Sequence, residues 1–282
     1  MNKKKPALVI FAYNRPSHLK RVLIAIENHK IDNDIYLIID GPKNKIDVIN
    51  QKDISLSVKT RFKKNYYKVI KRKKNVGLSK SIVDGLNYVT KKYESVIVLE
   101  DDIIPYKNFF DFTFKALKKF KNNKNISAIC GFQFPNWSKN NDKINSLILP
   151  NFNSWGWAIW SRNWREYSKN IKKIPKIKDK KKFPLFLKKY FDPKYFNKQK
   201  RNIWTLNFMY YNYTLKKDYI FPNFSLTKNI GFDGTGVNSK STDKFQVIEN
   251  KDKKISFKKI LYDKKLIKKQ NNIIKKNLSF FY

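Results

Sequence analysis

Three consecutive acidic residues, Glu100, Asp101 and Asp102, follow an apolar run and are the strongest chemical signal in the sequence. Adjacent carboxylates repel one another, and burial at the end of a strand would remove the water that keeps them charged. A divalent cation relieves both costs, and Mn²⁺ and Mg²⁺ prefer oxygen ligands. The cluster therefore indicates a metal site, while a solvated acidic turn before a helix is the plain alternative.

Apolar runs alternate with segments of helical periodicity through the first half of the chain. The predicted strands cover residues 7–13, 35–39, 66–70, 96–99 and 126–132. Apolar residues at helical spacing predict a first helix capped by Ser17, a second that begins near Leu78, and a third over 109–120. This alternation is typical of a Rossmann-like α/β fold, with a mostly parallel sheet and helices on both faces.

Polar residues stand where three of these strands end. Asn14 follows the first strand, Asp40 the second, and the acidic triplet the fourth. Because ligands of open α/β sheets bind outside the carboxyl ends of the strands, we expect one binding site at this edge.

Four short motifs occur in order after successive strands. They are residues 11–16 (Phe-Ala-Tyr-Asn-Arg-Pro), 40–42 (Asp-Gly-Pro), 75–79 (Asn-Val-Gly-Leu-Ser) and the acidic triplet. In this order they resemble bacterial sugar transferases of surface-polysaccharide clusters, which have the GT-A fold, and more distantly the N-acetylglucosaminyltransferase I group. The resemblance covers residues 7–132 and returns at 154–160 and 229–236. It implies that the triplet stands for the DxD motif of such enzymes.

The resemblance also implies a role for individual residues. Those assigned to the nucleotide and donor sugar are Ala12, Tyr13, Asn14, Arg15, Asp40, Asn75, Gly77, Ser81, Glu100 and Asp101. Asp40 would hydrogen-bond the base edge, with a UDP-sugar as the favoured donor, and Asp102 would ligate Mn²⁺ or Mg²⁺. Asn14 and Asp40 are also ordinary turn residues, and Gly77 could be a simple bend.

The reaction implied by the resemblance is a metal-assisted, inverting displacement in which a carboxylate deprotonates an acceptor hydroxyl. Asp101 is included among the catalytic residues. Relatives tend to place the base beside a tryptophan in a late helix, but residues 201–205 contain no acid. Asp233, in a glycine-flanked loop, is therefore the predicted base, and Asp192 and Glu166 are the other candidates.

Aromatic residues dominate the predicted acceptor region, which is otherwise irregular. Trp155 and Trp157 flank Gly156, and an indole face can stack on the apolar face of a pyranose. These tryptophans are predicted to bind sugar, with an aromatic core as an equally good alternative. Related sequences often carry a histidine where this chain has Asn238, which puts a third protein ligand to the metal in doubt.

The net charge of +40 comes from 62 basic residues, of which only 7 are arginines. A protein that binds specific nucleic-acid sequences would be expected to use more arginine, so we expect no specific nucleic-acid partner. Such a positive field favours nucleotide diphosphates or an anionic bilayer. The single cysteine, Cys130, fits a reducing compartment. No apolar run approaches the ~20 residues of a membrane span.

The predicted organisation is a nucleotide-sugar half (1–135), an acceptor half (136–240) and a basic tail (241–282). Residues 251–276 hold eleven lysines and two acids. Four apolar residues share a predicted helical face in this tail: Ile267, Ile274, Leu278 and Phe281. The tail predicts a cytoplasmic protein that docks peripherally on the inner membrane face, near a lipid-linked glycan acceptor. A lysine-biased solvated tail is the alternative.

Three further functions compete with sugar transfer, and one of them is a protein that binds nucleic acid through its positive charge alone. A nucleotidyltransferase of the same fold normally has a glycine-rich basic loop after the first strand, and the Asn14-Arg15-Pro16 sequence is not of that kind. A non-catalytic module that binds nucleotide sugars or glycans is the stronger alternative, because residues 201–205 lack the expected acid.

Overall fold

The computed structural model describes residues 5–61, 67–135, 146–171, 204–235 and 241–249, together with 255, 257, 260–262, 265, 267, 268 and 272. The lysine-rich stretch at 172–189 lies outside these residues, as do Asp192, Asn202 and Asn238. The same is true of the predicted apolar tail face, except for Ile267.

A central sheet organises the described part of the chain. Its strands are β1 (Ala7–Ala12), β2 (Ile35–Ile39), β3 (Tyr67–Lys71), β4 (Ser95–Glu100), β6 (Ile126–Cys130), β7 (Ser146–Leu149), β8 (Trp157–Trp160), β9 (Asp218–Pro222) and β11 (Ile260–Leu261). Their spatial order is β11-β7-β9-β6-β8-β4-β1-β2-β3. A separate antiparallel pair joins β5 (Ile103–Pro105) to β10 (Thr227–Asn229).

The first half of the sheet is parallel, as its sequence pattern predicts. β1 lies between β2 and β4, and β3 pairs with the outer edge of β2. Every residue of β1 and β2 is buried. Continuous apolar runs are typical of parallel strands that helices cover on both faces.

The strand β8 interrupts the parallel arrangement, because it runs antiparallel to both of its neighbours, β4 and β6. Beyond it, β9 is parallel to β6, and β7 is antiparallel to β9. The two predicted halves therefore contribute strands to one sheet, while the boundaries at residues 135 and 240 stay predictions.

Two helix layers sandwich the sheet. The helices are α1 (Pro16–Asn28), α2 (Lys45–Arg61), α3 (Leu78–Val89), α4 (Phe109–Lys119), α5 (Ser161–Asn170) and α6 (Trp204–Thr214). Side chains of α1, α2 and α4 pack in the core on one face of the sheet, and those of α3, α5 and α6 pack on the other. The result is a three-layer α/β architecture with a mostly parallel sheet, as the sequence predicts.

Two details of the helices differ from the sequence predictions. The helix α1 begins at Pro16 without a side-chain cap, so the prediction that Ser17 caps it is wrong. Proline supplies a preset backbone angle at the first helical position instead. The helix α2 has no counterpart in the predictions, because three of its apolar residues are exposed and break the one-sided pattern: Ile46, Ile49 and Leu56. Among the described residues, no helix is both long and apolar enough to cross a membrane.

Candidate functional site

The loops that the sequence predicts to meet at one edge of the sheet do so in the structure. β1, β2 and β4 run parallel, so the residues after each strand come together at their carboxyl ends. The register pairs Phe11 with Glu100, which places the loop after β1 beside the acidic triplet. The backbone N–H of Tyr13 donates a 3.1 Å hydrogen bond to Asp101 Oδ2, which joins the two loops directly.

The charged forms of the three carboxylates are destabilised in this position. Burial raises the pKa of Glu100 well above its ordinary value, and the charges of Asp102 and Asp101 add to the effect. Burial and the neighbouring Asp102 raise the pKa of Asp101 to about 7. Burial also raises the pKa of Asp102, although Arg15 and His18 oppose the shift. The cluster therefore favours additional positive charge.

Arg15 is the counter-ion that the protein itself supplies. Its Nη1 donates to Asp102 Oδ2 at 3.0 Å. Its Nη2 donates to Asp233 Oδ1 at 3.2 Å and to Thr235 Oγ1 at 2.9 Å, and lies 2.7 Å from His18 Nε2. The guanidinium thus joins the acidic triplet to a loop that lies more than two hundred residues after Arg15 in the sequence. The resemblance implied that Arg15 wraps the base and ribose, whereas its side chain points to the acidic cluster.

The loop after β10 is held against Asp102 by its backbone. The N–H of Ile230 donates to the carbonyl oxygen of Asp102 at 2.9 Å. A Cβ atom at Gly231 would lie 2.1 Å from Asp102 Oδ2, so this close approach requires glycine. The β5–β10 pairing aligns the two segments, because Asn229 lies opposite Ile103, directly after the triplet.

Asp233 lies in this loop, beside the acidic cluster. Its Oδ2 is 2.9 Å from His18 Nε2, and its Oδ1 accepts hydrogen bonds from Thr235 N–H and Oγ1. Slight burial would raise the pKa of Asp233, but the Thr235 bonds and the His18 and Arg15 charges lower it to about 2. A carboxylate with so low a pKa is a weak base in this state. The position of Asp233 beside the acidic triplet fits the predicted role of base. Its contacts with Arg15, His18 and Thr235 oppose that role, because they lower its pKa.

Glu166 lies elsewhere. It is on α5, whose first residue donates its N–H to the Glu94 carbonyl at the amino end of β4. Glu166 accepts a 2.8 Å ion-pair contact from Lys217, which directly precedes β9. Because β9 and β4 begin at the same edge, Glu166 lies at the edge opposite the triplet. The structure therefore does not place this candidate base at the site.

Asp40 organises the neighbouring loop. Its Oδ1 accepts from the N–H groups of Gly41 and Val76, and its Oδ2 accepts from Gly77 N–H at 2.9 Å. Asn75 Nδ2 donates to the Gly41 carbonyl at 2.9 Å. These contacts fit the alternative interpretation, in which Asp40 is a turn residue. They also fix the position of the loop that, by the resemblance, would bind the donor nucleotide. Ser81 is buried in the first turn of α3.

Two residues of α2 that the sequence analysis did not identify hold the loops after β1 and β2 together. Asp47 accepts hydrogen bonds from the Tyr13 hydroxyl and from Asn14 Nδ2, the latter at 2.6 Å. Gln51 Nε2 donates to the carbonyls of Tyr13 (3.1 Å) and Asp40 (2.8 Å). Burial alone would raise the pKa of Asp47, but the Tyr13, Lys43 and Asn14 hydrogen bonds outweigh it and lower the pKa.

A signal for Asp47 was present in the sequence. Asn44 Oδ1 accepts the Asp47 N–H at 2.9 Å, and α2 begins at Lys45. Asparagine followed three residues later by an acid is a helix-start pattern. This pattern predicts a helix that begins near residue 45, with Asp47 in its first turn.

The two tryptophans have different surroundings. Trp157 is fully buried, and its ring stacks on Trp204 with centroids 5.4 Å apart. Its burial leaves no ring face for a sugar, so the aromatic-core alternative holds for this residue. Trp155 is partly buried and contacts Phe232 at 5.2 Å, next to Asp233. It therefore braces the loop that carries Asp233.

The donor set fits a divalent metal held largely by a substrate. The described residues contain no group of three or more His, Cys, Asp or Glu side chains arranged to hold a metal. Mg²⁺ is commonly bound by one or two carboxylates together with substrate phosphates. Asp102, which is partly exposed and has a raised pKa, would suit this role, and Arg15 is its counter-ion in the structure.

A first prediction concerns pH. The pKa of Asp101 in the folded chain lies above its ordinary value of 3.8, because burial disfavours the charged form. The contribution of Asp101 to the free energy of unfolding is therefore fully present below pH 3.8 and is lost as the pH rises toward about 7. In EDTA, Asp101→Asn should raise the melting temperature relative to the parent at pH 8, and this advantage should shrink at pH 5. The exposed Asp111→Asn variant serves as the control. An equal loss of stability at both pH values would contradict the argument.

A second prediction concerns Trp157. Trp157→Ala should lower the free energy of unfolding by about 3–5 kcal/mol, because it leaves a cavity in the core. Urea unfolding measures the loss, and Trp157→Phe is the milder companion variant if the alanine variant does not fold. Parental stability with weakened glycan binding would instead restore the sugar-binding interpretation.

Comparison with solved structures finds weak similarities. They include the mannosyltransferase PcManGT of Pyrobaculum calidifontis in complex with GDP-Man and Mn²⁺ (13% identity, TM-score 0.42, 60% of this chain and 47% of that chain). S. aureus TarS 1-349 gives 12% identity and TM-score 0.39 (57% and 49%). The glycosyltransferase GlyE of Streptococcus pneumoniae TIGR4 gives 12% identity and TM-score 0.39 (77% and 45%). The chain thus spans about half the length of these proteins.

Sequence comparison identifies the family. A search of curated proteins found no match. The family model described as glycosyl transferase family 2 matches residues 7–193, which include the acidic triplet and the loops after β1 and β2. Because this match covers more than half of the chain, the protein belongs to glycosyl transferase family 2, and its three-layer α/β architecture is the GT-A fold.

Proposed function

We propose that this protein transfers a sugar from a nucleoside diphosphate sugar to a hydroxyl group of a glycan acceptor, with inversion and with the help of Mn²⁺ or Mg²⁺. The observation that carries the proposal is the largely buried acidic triplet at the carboxyl end of β4, whose pKa values are all raised. A site of this kind gains from the cation that accompanies a diphosphate. Membership of glycosyl transferase family 2 supports the reaction type.

The proposed donor pocket is built from the loops after β1 and β2. Tyr13 and Asn14 are fixed by Asp47, and the loop at 75–77 is fixed by Asp40, so the pocket is organised before a ligand binds. Such preorganisation reduces the entropy lost on binding. In this proposal UDP is the favoured nucleotide, and Asp102 holds the cation, which neutralises the charge of the departing diphosphate.

Arg15 supplies a second positive charge beside the diphosphate position. Its guanidinium is only 13% exposed and already contacts Asp102, so little movement is needed to reach an anion bound there. Arginine binds phosphate through parallel N–H donors. We therefore include Arg15 among the residues that bind the diphosphate, in place of the base and ribose.

The third prediction tests the metal assignment. UDP should raise the melting temperature of the parent only when Mn²⁺ or Mg²⁺ is present, and Asp102→Asn should abolish this metal dependence. GDP is the comparison nucleotide, and Asp111→Asn on α4 is the matched carboxylate control. Equal stabilisation by UDP in Mn²⁺ and in EDTA would exclude the proposed role of Asp102.

The fourth prediction tests the base. Asp233 becomes an effective base only if Arg15 and His18 release it, since they help to hold its pKa at about 2. Asp233→Asn should lower kcat by on the order of 10²-fold or more while nucleotide affinity stays near that of the parent. Asp243→Asn, an exposed change in the same part of the chain, is the control. A weaker nucleotide affinity with normal kcat would show that Asp233 only holds the loop.

The second candidate function is a non-catalytic module that binds nucleotide sugars or glycans. It is favoured by one observation: the carboxylate that the loop brings to the site is already paired with Arg15 and in contact with His18. Measurement of donor hydrolysis and transfer separates the two functions. Saturable donor binding with neither activity would support the binding module.

The proposed setting is the inner face of the cell membrane, with a lipid-linked glycan of a surface polysaccharide as acceptor. The net charge of +40 supports attraction to anionic lipid. The basic tail to which the sequence assigns this docking lies mostly outside the described residues.

A further inference from the structure

The outer face of α2 carries exposed apolar side chains. Ile46, Ile49 and Leu56 are 67%, 59% and 61% exposed, respectively. Positions three and seven residues apart lie on the same side of a helix, so these three side chains form one stripe, in which the exposed Asp53 also lies. A folded protein rarely leaves such a stripe in water without a use for it.

Lysines border this stripe. Lys45, Lys52 and Lys59 are exposed and follow one another at intervals of seven residues, which keeps them on one side of the helix beside Ile49 and Leu56. A further lysine, Lys71 of β3, hydrogen-bonds Ser55 and so adds its charge to the same helix. We call this surface, made of the three apolar residues and the three α2 lysines, the α2 outer face.

The opposite side of α2 serves the fold and the donor pocket. Ile54 and Val58 are buried in the core, and Asp47 and Gln51 hold the loops after β1 and β2. The apolar residues of the α2 outer face therefore have no part in either task. Substitutions on the outer face should leave both the core and the pocket intact.

We propose that the α2 outer face docks on an anionic lipid bilayer. A helix with apolar side chains flanked by lysines lies in the interface plane, where its apolar groups insert and its lysines meet lipid phosphates. Charge decides against a second copy of this chain, because the same face would bring lysines against lysines in a protein of net charge +40. The three lysines outnumber Asp53, so an anionic bilayer complements the net charge of this face as well as its apolar side chains.

This surface is distinct from the basic tail, and the inference does not depend on sugar transfer. It gives α2 two roles on opposite sides, since the helix that orients Tyr13 and Asn14 would also contact lipid. Docking by α2 would hold the donor pocket at a fixed distance from the membrane surface.

The experiment measures co-sedimentation of the full-length chain with vesicles of phosphatidylcholine, with and without phosphatidylglycerol, at low salt. Lys45→Gln/Lys52→Gln/Lys59→Gln should weaken binding to the anionic vesicles by roughly tenfold or more. Ile49→Asn/Leu56→Asn should weaken it as well. Melting temperature and UDP affinity should match the parent in both variants, which separates a docking defect from failure of the donor site.

Two matched controls isolate the α2 outer face from net charge and general exposure. Lys91→Gln/Lys118→Gln/Lys119→Gln removes the same charge from exposed lysines elsewhere, and Ile248→Asn removes an apolar side chain that is 94% exposed. Both should bind vesicles nearly as well as the parent. Equal losses in the test and control variants, or parental binding in the test variants, would overturn the proposal. Self-association that Ile49→Asn/Leu56→Asn abolishes would overturn it too, by making this face a contact between copies.

Discussion

The structure of the site depends on the need to balance three adjacent carboxylates at the buried end of β4. Arg15 provides part of the balance, because β1 and β4 are neighbours and bring its loop beside Asp102. The pKa values of Glu100, Asp101 and Asp102 remain raised even so. The folded chain therefore retains an electrostatic cost that a bound cation would remove, and this cost supports the proposal that Asp102 holds a metal.

The remainder of the site is organised by contacts among loops. Asp47 and Gln51 reach from α2 to the loop after β1, and Asp40 fixes the loop before α3 by accepting from Val76 and Gly77. These side chains satisfy backbone and hydroxyl donors that would otherwise lie unpaired at the strand ends. A pocket built in this way has little freedom to lose when a nucleotide enters.

The sequence allowed prediction of the parallel half of the sheet, because buried strands such as β1 and β2 read as continuous apolar runs. It also placed the candidate edge, since the carboxyl ends of parallel strands must coincide. The helix α2 was missed because residues such as Ile49 and Leu56 point to solvent and hide its periodicity. The Arg15–Asp233 ion pair could not be predicted, because it joins residues 218 positions apart through a pairing of β5 with β10.

The ion pairs of Arg15 connect the acidic triplet to the loop that carries Asp233, the predicted base. One guanidinium holds both Asp102 and Asp233, so the two carboxylates share a counter-ion. A diphosphate is a stronger partner for arginine than either carboxylate alone, because it offers several anionic oxygens. A donor that takes up Arg15 would remove one of the charges that lower the pKa of Asp233, while the Thr235 hydrogen bonds and His18 would still lower it. Donor binding would then relieve part of the pairing that holds Asp233, the predicted base, in the free protein.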